Sequence, residues 1–135
     1  METIKLIGLG IIHRDGKVLI GKRKNKDEFV EHLIWVFPGG EVGANIEESL
    51  KKIIEEETNL DVEIKELVYV RKPPESKINM VLFYFDCMPL NRDEKSGGDL
   101  VELMWVKPTS VCEFFTTSVS DKVMEFLRSI EEKKL

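Results

Sequence analysis

Apolar positions recur along the chain with two periods, and each period marks a different kind of element. Ile4-Lys5-Leu6-Ile7-Gly8-Leu9-Gly10-Ile11-Ile12 is a near-continuous apolar, β-branched run and predicts a strand. Arg14-Asp15-Gly16 follows, and Asp-Gly ahead of a second apolar run predicts a hairpin, with Lys17 to Arg23 as the return strand. A polar loop from Lys24 to Glu31 leads to Leu33-Ile34-Trp35-Val36-Phe37. That run is expected to stop at Pro38-Gly39-Gly40, because proline has no ladder donor and glycine admits unusual backbone angles. The period then changes. Ile46, Leu50, Ile53 and Ile54 recur at helical spacing, Asn45 suits an N-cap, and Glu47 and Glu48 suit the first turn. With Asn59 able to take a left-handed ending, a helix is expected over Ile46–Thr58.

Two further strands are read at Leu60–Lys72 and Ile78–Met88, joined through Pro73-Pro74-Glu75-Ser76. Asn91 to Asp99 has loop chemistry, and a strand from Val101 to Lys107 is broken at Pro108. The closing helix runs from Ser118 or Val119 to Glu131, with Val119, Val123, Phe126, Leu127 and Ile130 as its apolar stripe. The order strands, helix, strands, helix predicts an α/β (α+β) unit over residues 1–135, a mixed β-sheet sandwiched between helices.

Composition narrows the function. A chain of 135 residues that is 42% hydrophobic can build one core. Its 20 basic and 25 acidic residues give a formal charge of −5, which argues against a nucleic-acid polymer as partner, since backbone binding needs surplus positive charge. No apolar run approaches the ~18 residues of a spanning helix. Met1-Glu2-Thr3-Ile4-Lys5 does not open a signal peptide, so the reading is a cytoplasmic protein with no membrane role. Cys87 and Cys112 match no metal or redox spacing and are read as reduced core thiols. His13 and His32 have no partner at ligand spacing and are read as surface or packing residues.

The most informative triplet is Glu55-Glu56-Glu57, in the last turn of the first helix, where unpaired carbonyls already carry partial negative charge. Lys51 and Lys52 stand one turn back and can each pair with a glutamate, but cannot serve three acids and the carbonyls together. With Leu50 at the centre of the apolar stripe, Glu57 points nearly the same way, Glu56 lies on the flank and Glu55 points opposite. Two readings stand: a solvated helix end, or a carboxylate pair holding a hard cation such as Mg²⁺. Upstream, Pro38-Gly39-Gly40 feeds this helix and can bring bare backbone near a phosphate or a metal.

These residues resemble the Nudix hydrolase family, the MutT-like proteins, whose box is G-x5-E-x7-R-E-U-x-E-E-x-G-U with U a bulky aliphatic. Trp35-Val36-Phe37-Pro38-Gly39-Gly40 is similar to the run that enters the box, and Lys52 to Leu60 is similar to its second part. Val18 to Arg23 and Glu102-Leu103-Met104-Trp105-Val106 extend the likeness over nearly the whole chain. The box is degenerate. The stretch after Gly40 is two residues short, Ala44 and Glu41 are all that stand near the expected loop glutamate, and Lys52, Ile53 and Asn59 replace Arg, Glu and Gly.

The resemblance implies a Mg²⁺- or Mn²⁺-dependent hydrolase of a nucleoside diphosphate linked to another group. Glu56, Glu57 and the Gly40 carbonyl would be metal ligands, Lys52 would orient Glu56, and Arg23 with Gly39 and Gly40 would meet the small-molecule substrate. The base that activates water is left among Glu57, Glu94 and Glu102. A likeness to the GDP-mannose mannosyl hydrolase branch, where attack falls on sugar carbon, and a nucleotide-binding module without turnover are the alternatives. Oligomeric state stays open, homodimers being common in the family.

Overall fold

The computed structural model describes residues 3–132, so Met1 and Glu2 of the leader reading, and the last residues of the 1–135 unit, lie outside it. Seven strands form one mixed sheet: β1 (Lys5–Arg14), β2 (Lys17–Arg23), β3 (Trp35–Val36), β4 (Gly39–Glu41), β5 (Val62–Arg71), β6 (Met80–Pro89) and β7 (Leu100–Val106). The helices are α1 (Ile46–Thr58), α2 (Val111–Phe114) and α3 (Asp121–Glu132), with a 3-10 turn at Pro108–Ser110. β1 is long enough to serve two neighbourhoods. Its first half lies between parallel β6 and antiparallel β4, and its last residues, His13 and Arg14, pair with Val18 and Lys17 across the Asp15-Gly16 turn. β2 in turn pairs with β3 and β7, and β5 pairs with β6 at the edge.

The sheet separates two cores. Leu50 and Ile54 of α1 pack with Ile12, Leu19, Leu60, Val62, Phe85 and Cys87 on one face. Val123, Leu127 and Ile130 of α3 pack with Ile11, Val18, Ile20, Phe37 and Tyr84 on the other. This is the alternation expected of strands buried on both faces.

The first helix runs over the residues its pattern predicts. Asn45 caps it by accepting the Glu48 N–H, and Asn59 ends it in the left-handed region. Three expectations are corrected. Pro38 interrupts the apolar run only briefly, and the chain resumes as β4, because Gly39 and Gly40 let it lie against β1. The closing helix starts at Asp121, and Val119 packs on the core from the segment before it. Cys87 is buried as expected, whereas Cys112 is exposed on the outer side of the short α2.

Candidate active site

The site is built from the last turn of α1. Leu50, Ile54 and Glu57 share the face that meets the sheet, so Glu57 is only 5% exposed while Glu55 and Glu56 face solvent. No basic residue stands in that turn. Lys51 and Lys52 are exposed, and among the described residues neither is ion-paired. The expected Lys52–Glu56 contact is therefore not formed, as befits two solvated side chains whose pairing gains little in water.

Backbone caps the helix instead. The loop from Asn91 to Asp99 folds over its end: Lys95 N–H donates to Thr58 O at 2.9 Å, Gly97 N–H to Glu57 O at 3.1 Å, and Asn59 Nδ2 to Asp93 O at 2.8 Å. The approach is so close that a Cβ on Gly97 would stand 2.6 Å from Glu56 O. The carbonyls of Glu55, Glu57 and Thr58 are thus satisfied by backbone N–H groups rather than by a cation.

Glu57 Oε1 accepts the Gly39 N–H at 2.8 Å. Gly39 has φ +152°, and a Cβ there would lie 2.0 Å from Gly8 O, so only glycine fits where β4 crosses β1. Burial pushes the Glu57 carboxyl up to about 7. The Gly39 N–H opposes this, Asp99 and Glu56 push it further up, and Arg23 pulls it back. Gly40 pairs with Gly8, flanked by the bonds Gly10 N–H to Pro38 O and Val42 N–H to Leu6 O. Antiparallel alternation therefore turns Gly40's N–H and C=O toward β1, and its carbonyl keeps a second lone pair.

A cavity of about 280 Å³ opens beside Gly39 and Gly40. Arg23, Asp27, Glu41 and Asp99 line its polar end, and Leu9, Trp35, Phe37, Leu82, Tyr84 and Phe115 contribute apolar wall. Arg23, at the end of β2, reaches Asp27 Oδ1 at 3.4 Å. Gly39 joins the two parts: its N–H holds Glu57 and its backbone borders the cavity.

Asp99 is the acid that sequence reasoning passed over as loop. Lys24 N–H donates to its carbonyl at 2.8 Å, which ties the loop to the end of β2 beside Arg23, and its charge bears on Glu57. The signal available was Gly97-Gly98 before an acid, a second Gly-Gly-acid run like Gly39-Gly40-Glu41. Glu94, by contrast, is committed elsewhere. Arg14 Nη1 and Nη2 grip its two oxygens at 3.0 and 2.7 Å, and Trp105 Nε1 donates at 3.1 Å. That grip holds its carboxyl below the usual range and removes it from the candidate bases. Glu102 is exposed on β7, opposite Lys22. His13 does have a partner: its Nε2 lies 2.6 Å from Asp86 Oδ1, away from the cavity.

Among the described residues, no three His, Cys, Asp or Glu side chains converge closely enough to hold a metal by themselves. Magnesium does not need three, since it keeps several waters and is held through one or two carboxylates plus substrate phosphate. On that count the two carboxylates fit: they are adjacent, one of them is buried, and among the described residues neither has a paired cation, while the Gly40 carbonyl is turned toward β1.

A model of the NUDIX domain matches residues 5–127. The chain belongs to the Nudix hydrolase family. Among similar proteins, the nucleoside triphosphatase NudI of Escherichia coli O81 (strain ED1a) is 31% identical over 120 residues, spanning 77% of this chain and 82% of that one. A Nudix hydrolase from Nitrosomonas europaea shares the fold with TM-score 0.78 at 22% identity, over 96% of this chain and 73% of that one. An ADP-ribose pyrophosphatase from Streptococcus suis shares it with TM-score 0.64 at 18% identity, over 97% and 92%. The Nudix loop–helix–loop is here β4, α1 and the turn at Asn59. Its departures have visible consequences. Ile53, where the pattern has glutamate, lies against Gly40, with its Cγ2 3.7 Å from where a Cβ on Gly40 would be. Glu41, the acid nearest the missing loop glutamate, reaches Lys5 Nζ at 3.4 Å on the surface.

Proposed function

We propose that this Nudix protein hydrolyses the diphosphate linkage of a nucleoside triphosphate or a related nucleoside diphosphate derivative, with Mg²⁺ or Mn²⁺. The observation that carries the reading is the buried Glu57 carboxylate, with no ion pair among the described residues yet one residue's backbone away from a nucleotide-sized cavity. The nucleoside triphosphatase name of the NudI relative supports the substrate class. Glu56 and Glu57 would hold the metal. When bound, the ion would neutralise the diphosphate and lower the pKa of a water.

The other steps belong to side chains. Arg23 would draw the phosphates to the polar end of the cavity, and the Gly39 N–H would keep Glu57 in one orientation. Asp99, in the cavity wall with its charge bearing on Glu57, is the acid able to receive a proton from water. The Arg14 grip on Glu94, and a place in the cavity wall that Glu102 does not share, support that assignment.

Incubation with a panel of nucleoside triphosphates and nucleotide sugars, with Mg²⁺ or Mn²⁺ and product analysis, tests this reading. Mononucleotide or pyrophosphate release, severely cut by Glu56→Gln and Glu57→Gln, is expected. Free hexose would point to attack on sugar carbon instead. The apolar Ile53 beside Gly40 favours one second reading, a module that binds nucleotide without turnover. Saturable binding by calorimetry with no product at any pH or metal would decide for it.

A further inference from the structure

Asn59 stands where the Nudix pattern has glycine, and its side chain makes contacts that glycine could not. Its backbone takes the left-handed cap, φ +61°, which either residue can adopt. Its side chain then reaches off the helix, and Asn59 Nδ2 donates to Asp93 O at 2.8 Å. Asn91 answers from the loop. Asn91 Nδ2 donates to Asn59 O at 3.2 Å, and Asn91 Oδ1 accepts the Asp61 N–H at 2.9 Å. The Leu90 N–H adds a bond to Asp61 O at 2.7 Å. Two asparagines thus lace the end of α1 to the start of the loop from both directions.

The lacing matters because of what the loop carries onward. Beyond Asp93 it crosses the helix end through the bonds from Lys95 N–H to Thr58 O and from Gly97 N–H to Glu57 O. It turns at Gly98, with φ +54°, and arrives at Asp99, whose carbonyl accepts the Lys24 N–H. A Cβ on Gly98 would stand 3.4 Å from Glu57 Cγ, so the loop lies directly on the side chain of the buried carboxylate. Glu94 anchors the same loop, but to Arg14 and Trp105 on β1 and β7. The asparagines and the two backbone bonds refer it instead to α1, the helix that carries Glu56 and Glu57.

A glycine at position 59 would keep the cap and lose the side-chain bond. We propose that Asn59, with Asn91, is a positioning residue: it fixes the 91–99 loop on the end of α1 and so sets where Asp99 stands relative to Glu57. The inference rests on the hydrolase reading above and on Asp99 as its proton acceptor, and adds the device that holds that acid in place. It also gives one departure of the box a purpose. The residue that replaces glycine is the one that ties down an acid lying outside the box.

Two measurements on the full chain test it. In metal-free protein, hydrogen exchange followed by NMR should show the Lys24, Lys95 and Gly97 amides exchanging at least ~10-fold faster in Asn59→Gly than in the wild type, while amides in the middle of α1 keep their rates. In steady-state kinetics with a nucleoside triphosphate and Mg²⁺, Asn59→Gly should lower kcat about tenfold with KM within about twofold. Arg23 and the glutamates still hold the substrate there, and the misplaced group acts in the chemical step. Asn59→Asp, which tolerates the same backbone angles but has no N–H to offer Asp93 O, should fall with Asn59→Gly. Asn91→Ala should match them, and the double variant with Asn59→Gly should lose little more than either single one, since both act through one contact.

A role confined to ending the helix predicts the opposite order, with Asn59→Gly as active as the wild type, because glycine is the commonest residue at that cap. Unchanged exchange at the three amides in Asn59→Gly would overturn the clamp, whatever the turnover. Faster exchange with an unchanged kcat would overturn the positioning role alone. A wild type that turns over nothing in the nucleotide panel would sink the hydrolase reading and the positioning role with it, and faster exchange in Asn59→Gly would still leave the clamp standing. Should Asn59→Gly fail to fold, Asn91→Ala carries both tests.

Discussion

Glu57 lies beneath a loop that contains Glu94, yet the two stand in opposite electrostatic situations. Glu94 is held by both nitrogens of Arg14 and by the Trp105 indole, with the guanidinium 4.5 Å above the Trp105 ring. Glu57 is more deeply buried, has one backbone N–H for a partner, and faces two further acids. The first carboxylate is complete and its job is to tie β1 to the loop before β7. The second is incomplete, and an incomplete buried charge beside a cavity is where a cation or a substrate finds its free energy. The difference separates an acid that builds the fold from one that the fold leaves unpaired among the described residues.

The largest effect is expected from Gly39→Ala. A Cβ 2.0 Å from Gly8 O and 2.9 Å from Leu9 Cα forces β4 off β1, at a cost of ~4 kcal/mol or more. Denaturant melts would show it, together with loss of nucleotide turnover. A mild effect would mean that the crossing holding Glu57 is not tight. Next, Glu57→Gln should lower turnover on the order of 100-fold or more while the protein remains folded. Near-wild-type rates would move the metal elsewhere.

Glu94→Gln should do the reverse, losing ~2 kcal/mol of stability and keeping turnover within about twofold. If instead its activity collapsed at unchanged stability, the two carboxylates would have to exchange roles.

The subtlest contrast is in pH. Glu57's folded pKa of about 7 lies above its ordinary 4.5, so the folded state holds that proton longer. Its contribution to stability is complete below about 4.5 and is lost as pH rises toward 7, up to about 3 kcal/mol. Glu94's folded pKa is depressed, so its contribution is present above 4.5 and is lost as pH falls through the folded value. In metal-free protein, Glu57→Gln should flatten the decline in Tm between about pH 4.5 and 7, and Glu94→Gln should flatten the decline on the acid side. Parallel profiles for the two variants would remove the distinction.

Much of this was legible locally. Asn45, the stripe through Leu50 and Ile54, and Asn59 delimit α1, and the same wheel puts Glu57 inward and Glu55 outward. Those features depend on residues within a turn or two of each other. What could not be read is what long-range closure decides. β4 exists because Gly39 and Gly40 can lie on β1, and Asp99 reaches the site because its loop satisfies the carbonyls of α1. Arg71 meets Ser118 only once β5 and the segment before α3 are folded against each other. Likewise the Arg14–Glu94–Trp105 cluster joins three separate segments, which is why Glu94 looked as available as Glu57 until the structure paired it.

The central claim is that a divalent ion is held at the end of α1 by Glu56 and Glu57. Calorimetric titration of the metal-free protein with Mn²⁺ at pH 8, without nucleotide, tests it most directly in the wild type, Glu57→Gln and Glu94→Gln. The account predicts saturable binding that Glu57→Gln abolishes or weakens at least ~10-fold and Glu94→Gln leaves intact. Equal Mn²⁺ affinity in all three proteins would contradict it.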